Sequence, residues 1–258
     1  MEDFLRAGLF VMVAVHLVAA FALIKKRNDW ADVLWGPGQL IAALGALSWP
    51  LGPNQKLALL CLFFWAFRLF LYLGLRTLSH STEDRRYLDM RQNWKGSENL
   101  QSYLKVFILQ GVLMLINASP VIWIVSQPSQ SLSLFEVLGA SIWLLGFIFE
   151  SVADGQLKKF KSQPQNSGLI MTHGLWKYSR HPNYFGEITQ WWGLYLMALA
   201  VPQGYWTFLG PLMITFFLIK ISGIPLLEKA LRGRPGYAEY AARTSRLIPL
   251  PPKTSANS

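Results

Sequence analysis

The segment that decides the fold precedes a long apolar run and reads Ser179-Arg180-His181-Pro182-Asn183-Tyr184-Phe185-Gly186-Glu187. Pro182 suits the first turn of a helix, because its missing N–H would have no partner there. Asn183 and Glu187 then lie one turn apart on the same face. An ionisable side chain just inside an apolar segment is costly unless it faces a cavity or a partner, so Glu187 is predicted to be functional. The segment therefore predicts a loop that turns into a membrane helix.

The composition is that of a membrane protein. Of the 258 residues, 52% are hydrophobic and 15% are charged. Apolar runs of about 20 residues, enough to cross a hydrocarbon core of ~30 Å, recur along the whole chain. We predict an all-α integral membrane protein with about seven transmembrane helices, at 4–24, 31–51, 56–76, 103–125, 132–152, 184–202 and 205–223. Residues 1–252 are expected to form a single transmembrane domain, followed by a polar C-terminal tail at 253–258.

Basic residues concentrate in every second connection. The loops after spans one, three and five and the segment after span seven are basic, whereas 50–55, 127–131 and 202–204 carry almost no charge. The positive-inside rule then predicts an N-terminus outside and a cytosolic C-terminus. A signal peptide at span one is the alternative, but Lys25, Lys26 and Arg27 follow this run instead of a small-residue cleavage site. Because the net charge of +10 lies in these loops, we expect membrane lipids and no nucleic acid as partners.

Polar side chains gather at the predicted cytosolic ends of the spans. They are Asp32, Arg68, Tyr72, Glu150, Asp154, Asn183 and Glu187. Such a group predicts a shared wet cavity that opens to the cytosol. Arg68 lies two helical turns before Arg76, roughly 12 Å deeper, so it requires a carboxylate partner, either Asp32 or Glu187. The alternative is that Arg68 and one acid form a structural ion pair between helices.

Two basic loops alternate cations with aromatic rings. They are residues 83–87 with Arg91, and residues 158–161. This composition suits phosphate groups and stacking on a ring; the alternative is that the loops enforce topology or contact anionic lipid headgroups. No Rossmann or Walker sequence is present, so a nucleotide would bind between helices. With a single cysteine, and histidines without carboxylates at zinc-ligand spacing, no metal site is expected.

Four segments together resemble the bacterial DUF1295 proteins: Arg180 to Glu187, Glu150-x-x-x-Asp154, the Glu83-Asp84-Arg85-Arg86-Tyr87 loop, and the ending from Tyr237 to Lys253. Those proteins belong to the superfamily of membrane steroid 5α-reductases, sterol reductases and isoprenylcysteine methyltransferases. The resemblance covers almost the whole chain. It implies an enzyme of the bacterial inner membrane that uses NADPH to reduce a carbon–carbon double bond, conjugated to a carbonyl, in a lipophilic steroid- or isoprenoid-like substrate.

The resemblance also implies site residues. Those matching cofactor contacts are Arg76, Arg85, Arg86, Arg91, Asp154, Lys161, Arg180, His181, Asn183, Glu187, Tyr240 and Arg243. Steroid 5α-reductases direct a Gln-Glu pair and a tyrosine at the substrate ketone. From the resemblance Asp32 is expected to take the glutamate's role and Tyr72 to donate the proton, while Trp65 stands at the tyrosine's place; the expected catalytic residues are Asp32, Tyr72 and Glu187. The expected substrate pocket comprises Trp35, Trp65, Arg68 and Trp191, although tryptophans also form interfacial belts.

Two other functions stay open. An S-adenosylmethionine-dependent membrane methyltransferase of the isoprenylcysteine or phospholipid type shares the Arg-His-Pro helix start and the Glu228…Tyr237…Arg243 ending. Against it, Asp154 is followed by a basic surface that a cofactor without phosphate does not need. A non-catalytic lipid-binding protein is the third reading, since the Gln-Glu pair is replaced. Protein partners are not readable from the sequence.

Overall fold

The computed structural model describes residues 2–253 and is built from helices. In chain order the α-helices are α1 (Glu2–Lys25), α2 (Trp30–Gly45), α3 (Pro53–Ser79), α4 (Arg85–Arg91), α5 (Glu98–Ser102), α6 (Leu109–Asn117), α7 (Ser119–Ser126), α8 (Leu134–Lys161), α9 (Pro182–Ala198), α10 (Leu209–Phe216), α11 (Ile224–Leu231) and α12 (Tyr237–Arg243). Two π-helical turns lie at Tyr103–Ile108 and Phe217–Ile221. Of the predicted polar tail at 253–258, all but Lys253 lies outside the described residues.

Five helical stretches are long and apolar enough to cross a membrane: Glu2–Lys25, Pro53–Ser79, Glu98–Asn117, Leu134–Lys161 and Gly204–Leu231. The chain is therefore an integral membrane protein, and the predicted all-α membrane fold is confirmed. The predicted count of seven spans is not confirmed. The spans predicted at 31–51 and 184–202 correspond to α2 and α9, with 16 and 17 residues. At 1.5 Å per residue these helices are about 24 and 26 Å long, less than the ~30 Å of a hydrocarbon core.

The span predicted at 103–125 is divided in the structure. The apolar stretch begins earlier, at Glu98, and ends at Asn117. After Ala118 a separate helix, α7, begins with Pro120 in its first turn. Proline has no N–H to continue a preceding helix but fits the start of a new one, which accounts for the break.

The chain divides into two compact units. The first comprises the described residues up to Val137 together with Leu194–Gly210. The second comprises Leu138–Gly193 together with the described residues from Pro211 onward. The boundaries fall inside α8, α9 and α10, so these helices belong in part to each unit.

Small side chains and one amide pair organise the first unit. α1 buries one face, on which Ala7, Val11, Val15, Ala19 and Ala22 recur every three or four residues. Between α6 and α2, Asn117 Nδ2 donates a hydrogen bond to Gln39 Oε1 at 2.9 Å, and both residues are fully buried. Away from water, such a bond fixes how two apolar helices are aligned.

Glycines bring α8 and α9 into backbone contact in the second unit. A Cβ on Gly146 would lie 2.6 Å from the Gly186 carbonyl oxygen, and one on Gly193 would lie 2.7 Å from the Gly139 carbonyl oxygen. The glycines recur at seven-residue steps on both helices, which is the period of a left-handed helix pair. Small residues at such a seam allow close packing without a hydrophobic driving force.

The C-terminal residues pack on the loop that precedes α9. An isolated parallel bridge joins Ser179 and Ser245. Ser179 Oγ donates to the Leu247 carbonyl at 2.7 Å, and the Leu250 N–H donates to the Tyr178 carbonyl at 3.0 Å. Segment 245–250 therefore fixes the place at which α9 begins.

Candidate functional site

Two amide–carboxyl contacts lie beside the glycine seam of the second unit. Gln190 Nε2 donates to Glu150 Oε2 at 2.6 Å, and Asn183 Nδ2 donates to Asp154 Oδ1 at 3.2 Å. Glu150 is 4% exposed and Gln190 is fully buried. A buried carboxyl is costly unless it is hydrogen-bonded, so the amides satisfy part of what the acids require. The structure thus brings together Asp154 and Asn183, two of the residues expected to contact a cofactor.

Each of these amides has an unused acceptor. Asn183 Oδ1 and Gln190 Oε1 are buried and have no hydrogen-bond partner within residues 2–253. Leaving a buried acceptor unsatisfied costs on the order of 1–3 kcal/mol. Two such oxygens on one helix therefore indicate a place where a ligand or a water molecule supplies donors.

Gln190 is a residue that the sequence analysis missed. Its signal is its position: Asn183, Glu187 and Gln190 follow at steps of four and three residues, which places them on one face of α9. Glu187 itself is half-buried in the middle of this row. A row of three polar residues that runs two turns into an apolar helix indicates a functional site more strongly than Asn183 and Glu187 alone.

Arg180 holds the C-terminal helices instead of standing free for a phosphate. Its Nη2 donates to Glu228 Oε1 at 2.7 Å and its Nε donates to the same oxygen at 3.0 Å. Its Nη1 donates to the Ala241 carbonyl at 2.7 Å and to the Thr244 carbonyl at 3.1 Å. These carbonyls end α12, where no intrahelical donor remains. All three guanidinium nitrogens are thus committed to the protein itself, and a direct contact of Arg180 with a cofactor stays a prediction.

His181 lies against the same acid. Its Nε2 is 3.4 Å from Glu228 Oε1, and its ring stacks on Tyr184 with centroids 5.6 Å apart. The side chain is 2% exposed. Burial lowers the pKa of His181 to about 4, against the opposing effect of the Glu228 carboxylate. At neutral pH the imidazole is therefore uncharged, and it contributes no positive charge to a phosphate.

This lowered pKa predicts an acid-sensitive fold. The unfolded chain takes up a proton on His181 below about pH 6.5, whereas the folded chain resists it until about pH 4, so stability is full above pH 6.5 and is lost as the pH falls through this window. The free energy of unfolding should fall by up to about 1.4 kcal/mol per pH unit there, about 3 kcal/mol in all. The measurement is the thermal unfolding midpoint in detergent between pH 7 and pH 4, compared with His181→Gln. A wild-type slope no steeper than that of the variant would contradict this assignment.

Three further expected cofactor residues have different surroundings. The Tyr240 hydroxyl donates to the Trp176 carbonyl at 2.6 Å and is buried, and burial raises the pKa of this phenol. Tyr240 therefore ties α12 to the loop before α9. Arg243 and Lys161 are exposed. Of these residues, only the two exposed cations are accessible to a phosphate.

Asp32 in the first unit is held by two donors. Tyr87 donates its hydroxyl proton to Asp32 Oδ1 at 2.7 Å, and Arg86 Nη2 donates to Oδ2 at 2.6 Å. Burial and the Asp32 carboxylate raise the pKa of Tyr87 well above its usual value, so the phenol keeps its proton. The sequence analysis did not select Tyr87 for this role. Its position, one residue after Arg86 in a short helix, gave no sign of which acid it would reach.

The arginines of residues 76–91 are largely neutralised by acids. Arg86 Nε donates to Asp84 Oδ1 at 3.1 Å, Arg91 Nη2 donates to Glu83 Oε1 at 2.9 Å, and Arg76 also pairs with Asp84. Arg85 has a side chain that is 90% exposed, with Asp89 at 3.9 Å. A cavity of about 310 Å³ adjoins this group, and its wall includes Asp32, Arg76, Asp84 and Arg85. Its mixture of charges is less suited to a diphosphate than the row of arginines predicted from the sequence.

The expected substrate residues occupy two environments. In the first unit Trp65 is buried, whereas Trp35, Arg68 and Tyr72 are half-buried along α2 and α3. Arg68 and Tyr72 are one turn apart on α3 and so share a face. In the second unit Trp191 is 1% exposed. Trp65 and Trp191 are therefore packed side chains, and their role as pocket walls stays a prediction.

Comparison with known proteins gives two partial similarities and one family. The chain is 31% identical to the 3-oxo-5-alpha-steroid 4-dehydrogenase 1 of Bos taurus over 70 residues. These residues make up 27% of the chain and 26% of the relative. It is 26% identical to the uncharacterized protein C9.08c of Schizosaccharomyces pombe over 132 residues, which make up 44% of the chain and 43% of the relative. Each match spans less than half of the relative's length, and no solved structure matches significantly. Residues 18–244 match the family described as "Protein of unknown function (DUF1295)", and the chain belongs to that family.

Proposed function

We propose that this protein uses NADPH to reduce a carbon–carbon double bond, conjugated to a carbonyl, in a lipophilic steroid- or isoprenoid-like substrate. The similarity to a 3-oxo-steroid dehydrogenase supports the reaction class, because oxidation next to an oxo group and reduction of the conjugated double bond are the two directions of one reaction. Five apolar helices support a substrate that enters from the membrane. The observation that carries the proposal is the polar row of α9.

A nicotinamide carboxamide fits the unused acceptor of Asn183. A carboxamide offers two N–H donors and one acceptor oxygen. Asn183 Oδ1 is buried without a donor among the described residues, while its Nδ2 is already held by Asp154. Asp154 therefore fixes the orientation of the amide, so that its oxygen is left to accept. Glu187, one turn further along α9, suits a ribose hydroxyl or the same carboxamide.

The phosphates require cations that are not already neutralised. In the second unit Lys158, Lys159 and Arg243 are exposed and form no ion pair with any described residue. Lys161 lies on the same helix as the two lysines. We therefore assign the phosphates to Lys158, Lys159 and Arg243, and not to Arg180 or His181.

The protein's own contribution to the chemistry is orientation and proton supply. Bound NADPH supplies the hydride. Asp32 accepts from both Tyr87 and Arg86, so it acts as a fixed acceptor and not as the group that protonates the substrate. Tyr72, half-buried on α3, remains the proposed donor to the carbonyl or the carbanion.

The test is a thermal-shift titration of the purified protein with NADPH, NADH and S-adenosylmethionine, with mass spectrometry of any small molecule that co-purifies. A ligand at 100 times its dissociation constant stabilises the folded state by about 2.7 kcal/mol. We expect a shift with NADPH that Asn183→Ala abolishes. Asn93→Ala is the matched control, since this exposed amide makes a single hydrogen bond of 3.4 Å. A shift that survives in Asn183→Ala would remove the carboxamide from this position.

An S-adenosylmethionine-dependent methyltransferase is the second candidate. The pairing of Arg76, Arg86 and Arg91 with carboxylates favours it, because this leaves less free positive charge for phosphates. The double variant Lys158→Ala with Lys159→Ala distinguishes the two candidate functions. NADPH binding should weaken while S-adenosylmethionine binding should not change, since the latter has no phosphate. A shift with S-adenosylmethionine alone would overturn the reductase, and a response to neither cofactor would favour the non-catalytic lipid-binding protein.

A further inference from the structure

A second cavity lies in the first unit, and of the residues expected to contact a cofactor its wall includes only Arg91. It has a volume of about 290 Å³, close to the lower end of the roughly 300–1,000 Å³ typical of small-molecule pockets. Its wall includes Leu23 near the end of α1, Lys26, Arg91, and Glu98 at the start of α5. Apolar, cationic and anionic groups thus meet around one space.

Two charged side chains on this wall make no polar contact with other described residues, and a third is only partly engaged. Lys26 and Glu98 are exposed, and neither forms an ion pair or a side-chain hydrogen bond with any residue in 2–253, nor with each other. Arg91 donates through Nη2 to Glu83, while its Nη1 has no partner in the described part of the chain. Opposite charges that face one space without touching are complementary to a ligand that carries both signs.

The wall is rigid as well as charged. Asn28 lines the cavity, and its Nδ2 donates to Ser102 Oγ at 3.0 Å while its backbone N–H donates to Glu83 Oε1 at 2.5 Å. Glu83 in turn accepts from Arg91. These contacts fix the connection after α1, the start of the 98–117 stretch and the end of α4 in one arrangement, so the cavity is formed before a ligand arrives.

The cavity lies where two membrane-crossing stretches end. Glu2–Lys25 ends beside it and Glu98–Asn117 begins beside it. His16 Nε2 and the Tyr103 hydroxyl, 2.8 Å apart, join the same two stretches further along α1. The Phe21 and Trp30 rings meet edge to face with centroids 5.0 Å apart, and aromatic residues of this kind mark the membrane–water interface. The charged wall is therefore at the level of the lipid headgroups.

We propose that this cavity binds the headgroup of a phospholipid that carries a phosphate and a primary ammonium, as phosphatidylethanolamine does. The phosphate is recognised by Lys26 and by Nη1 of Arg91, and the ammonium by the Glu98 carboxylate. Leu23 and the apolar surface of α1 contact the start of the acyl chains. This inference does not depend on the proposed reductase function.

The test is native mass spectrometry of the full-length protein titrated with phosphatidylethanolamine, phosphatidylglycerol and phosphatidylcholine of identical acyl chains. We expect phosphatidylethanolamine to bind roughly tenfold more tightly than the other two, since only its headgroup gives Glu98 a charged hydrogen-bond donor. Glu98→Gln should reduce this preference to about twofold or less, whereas Glu2→Gln, at the other end of α1, should preserve it. Lys26→Ala should weaken all three lipids, and Lys25→Ala, which removes a neighbouring cation outside the cavity wall, should not.

Several outcomes would overturn the inference. Equal binding of phosphatidylglycerol would show that the site does not recognise the ammonium group. Equal binding of phosphatidylcholine, whose ammonium carries no N–H, would show that Glu98 does not accept a hydrogen bond from the headgroup. A preference that is unchanged in Glu98→Gln would remove the carboxylate from the site. If soluble phosphoethanolamine displaces the lipid at equal concentration, the site binds a free metabolite and not a membrane lipid. Each variant is first checked for an unaltered unfolding midpoint.

Discussion

Replacing Arg180 with alanine should destabilise the protein by about 3–5 kcal/mol. The substitution leaves Glu228, whose side chain is 12% exposed, without its closest cation, and it removes the donors to the Ala241 and Thr244 carbonyls at the end of α12. A buried charge that loses its partner bears the full cost of desolvation. We therefore expect the unfolding midpoint to fall and segment 224–253 to become open to proteolysis.

Two controls show whether the geometry of Arg180 is responsible. Arg246 also faces Glu228, at 3.5 Å, but its side chain is 46% exposed, so Arg246→Ala should cost less than about 1 kcal/mol. Arg180→Lys keeps the charge but has one nitrogen for contacts that three nitrogens make, and it should recover only part of the loss. Equal effects of Arg180→Ala and Arg246→Ala would contradict the central role given to Arg180.

Gly146→Ala should separate α8 from α9, whereas Gly155→Ala on the same helix should not. A Cβ at position 146 would lie 2.6 Å from the Gly186 carbonyl oxygen and 2.8 Å from the Gln190 backbone nitrogen, and neither backbone atom can move alone. Overpacking of this kind typically costs about 1–3 kcal/mol. At Gly155 no atom lies within 4 Å of the added Cβ, so the change should stabilise α8 by up to about 1 kcal/mol through helix propensity.

The two glycine variants are compared by unfolding midpoint and by NADPH-induced shift. Since Gly146 adjoins Gln190, which donates to Glu150, Gly146→Ala should also reduce cofactor binding. Gly155→Ala should keep wild-type binding. If both variants have the same sign of effect on stability, backbone contact between the two helices is not what the glycines provide.

The membrane fold was predictable because its signal is local. A run of 20 apolar residues has few structures open to it in a bilayer, so α1, α3 and α8 follow directly from composition. The break after Ala118 and the short α2 and α9 were not predicted. An apolar run sets a maximum length for a helix, but a proline such as Pro120 or the turn after Ala198 decides where the helix ends.

The candidate site was predictable in part. Asn183 and Glu187 could be placed on one face because their spacing is that of a helix, and the contact of Asn183 with Asp154 fits this prediction. The role of Arg180 could not be read from its neighbours, since its partner Glu228 lies 48 positions away. The same holds for Tyr87 and Asp32, 55 positions apart. Sequence indicates which residues carry charge, but long-range packing decides which charges remain free.

If α2 and α9 cross the membrane, as the sequence predicts, their short length has a consequence for the surrounding lipid. A helix of about 24 Å cannot match a hydrocarbon layer of ~30 Å without leaving polar helix ends below the headgroups. Such hydrophobic mismatch is relieved by local thinning of the bilayer, at a fraction of a kcal/mol for each ångström. A thinned region shortens the distance that a lipophilic molecule travels to reach polar side chains. Membranes of short-chain lipids should therefore accommodate these helices with less deformation than thick, sterol-rich ones.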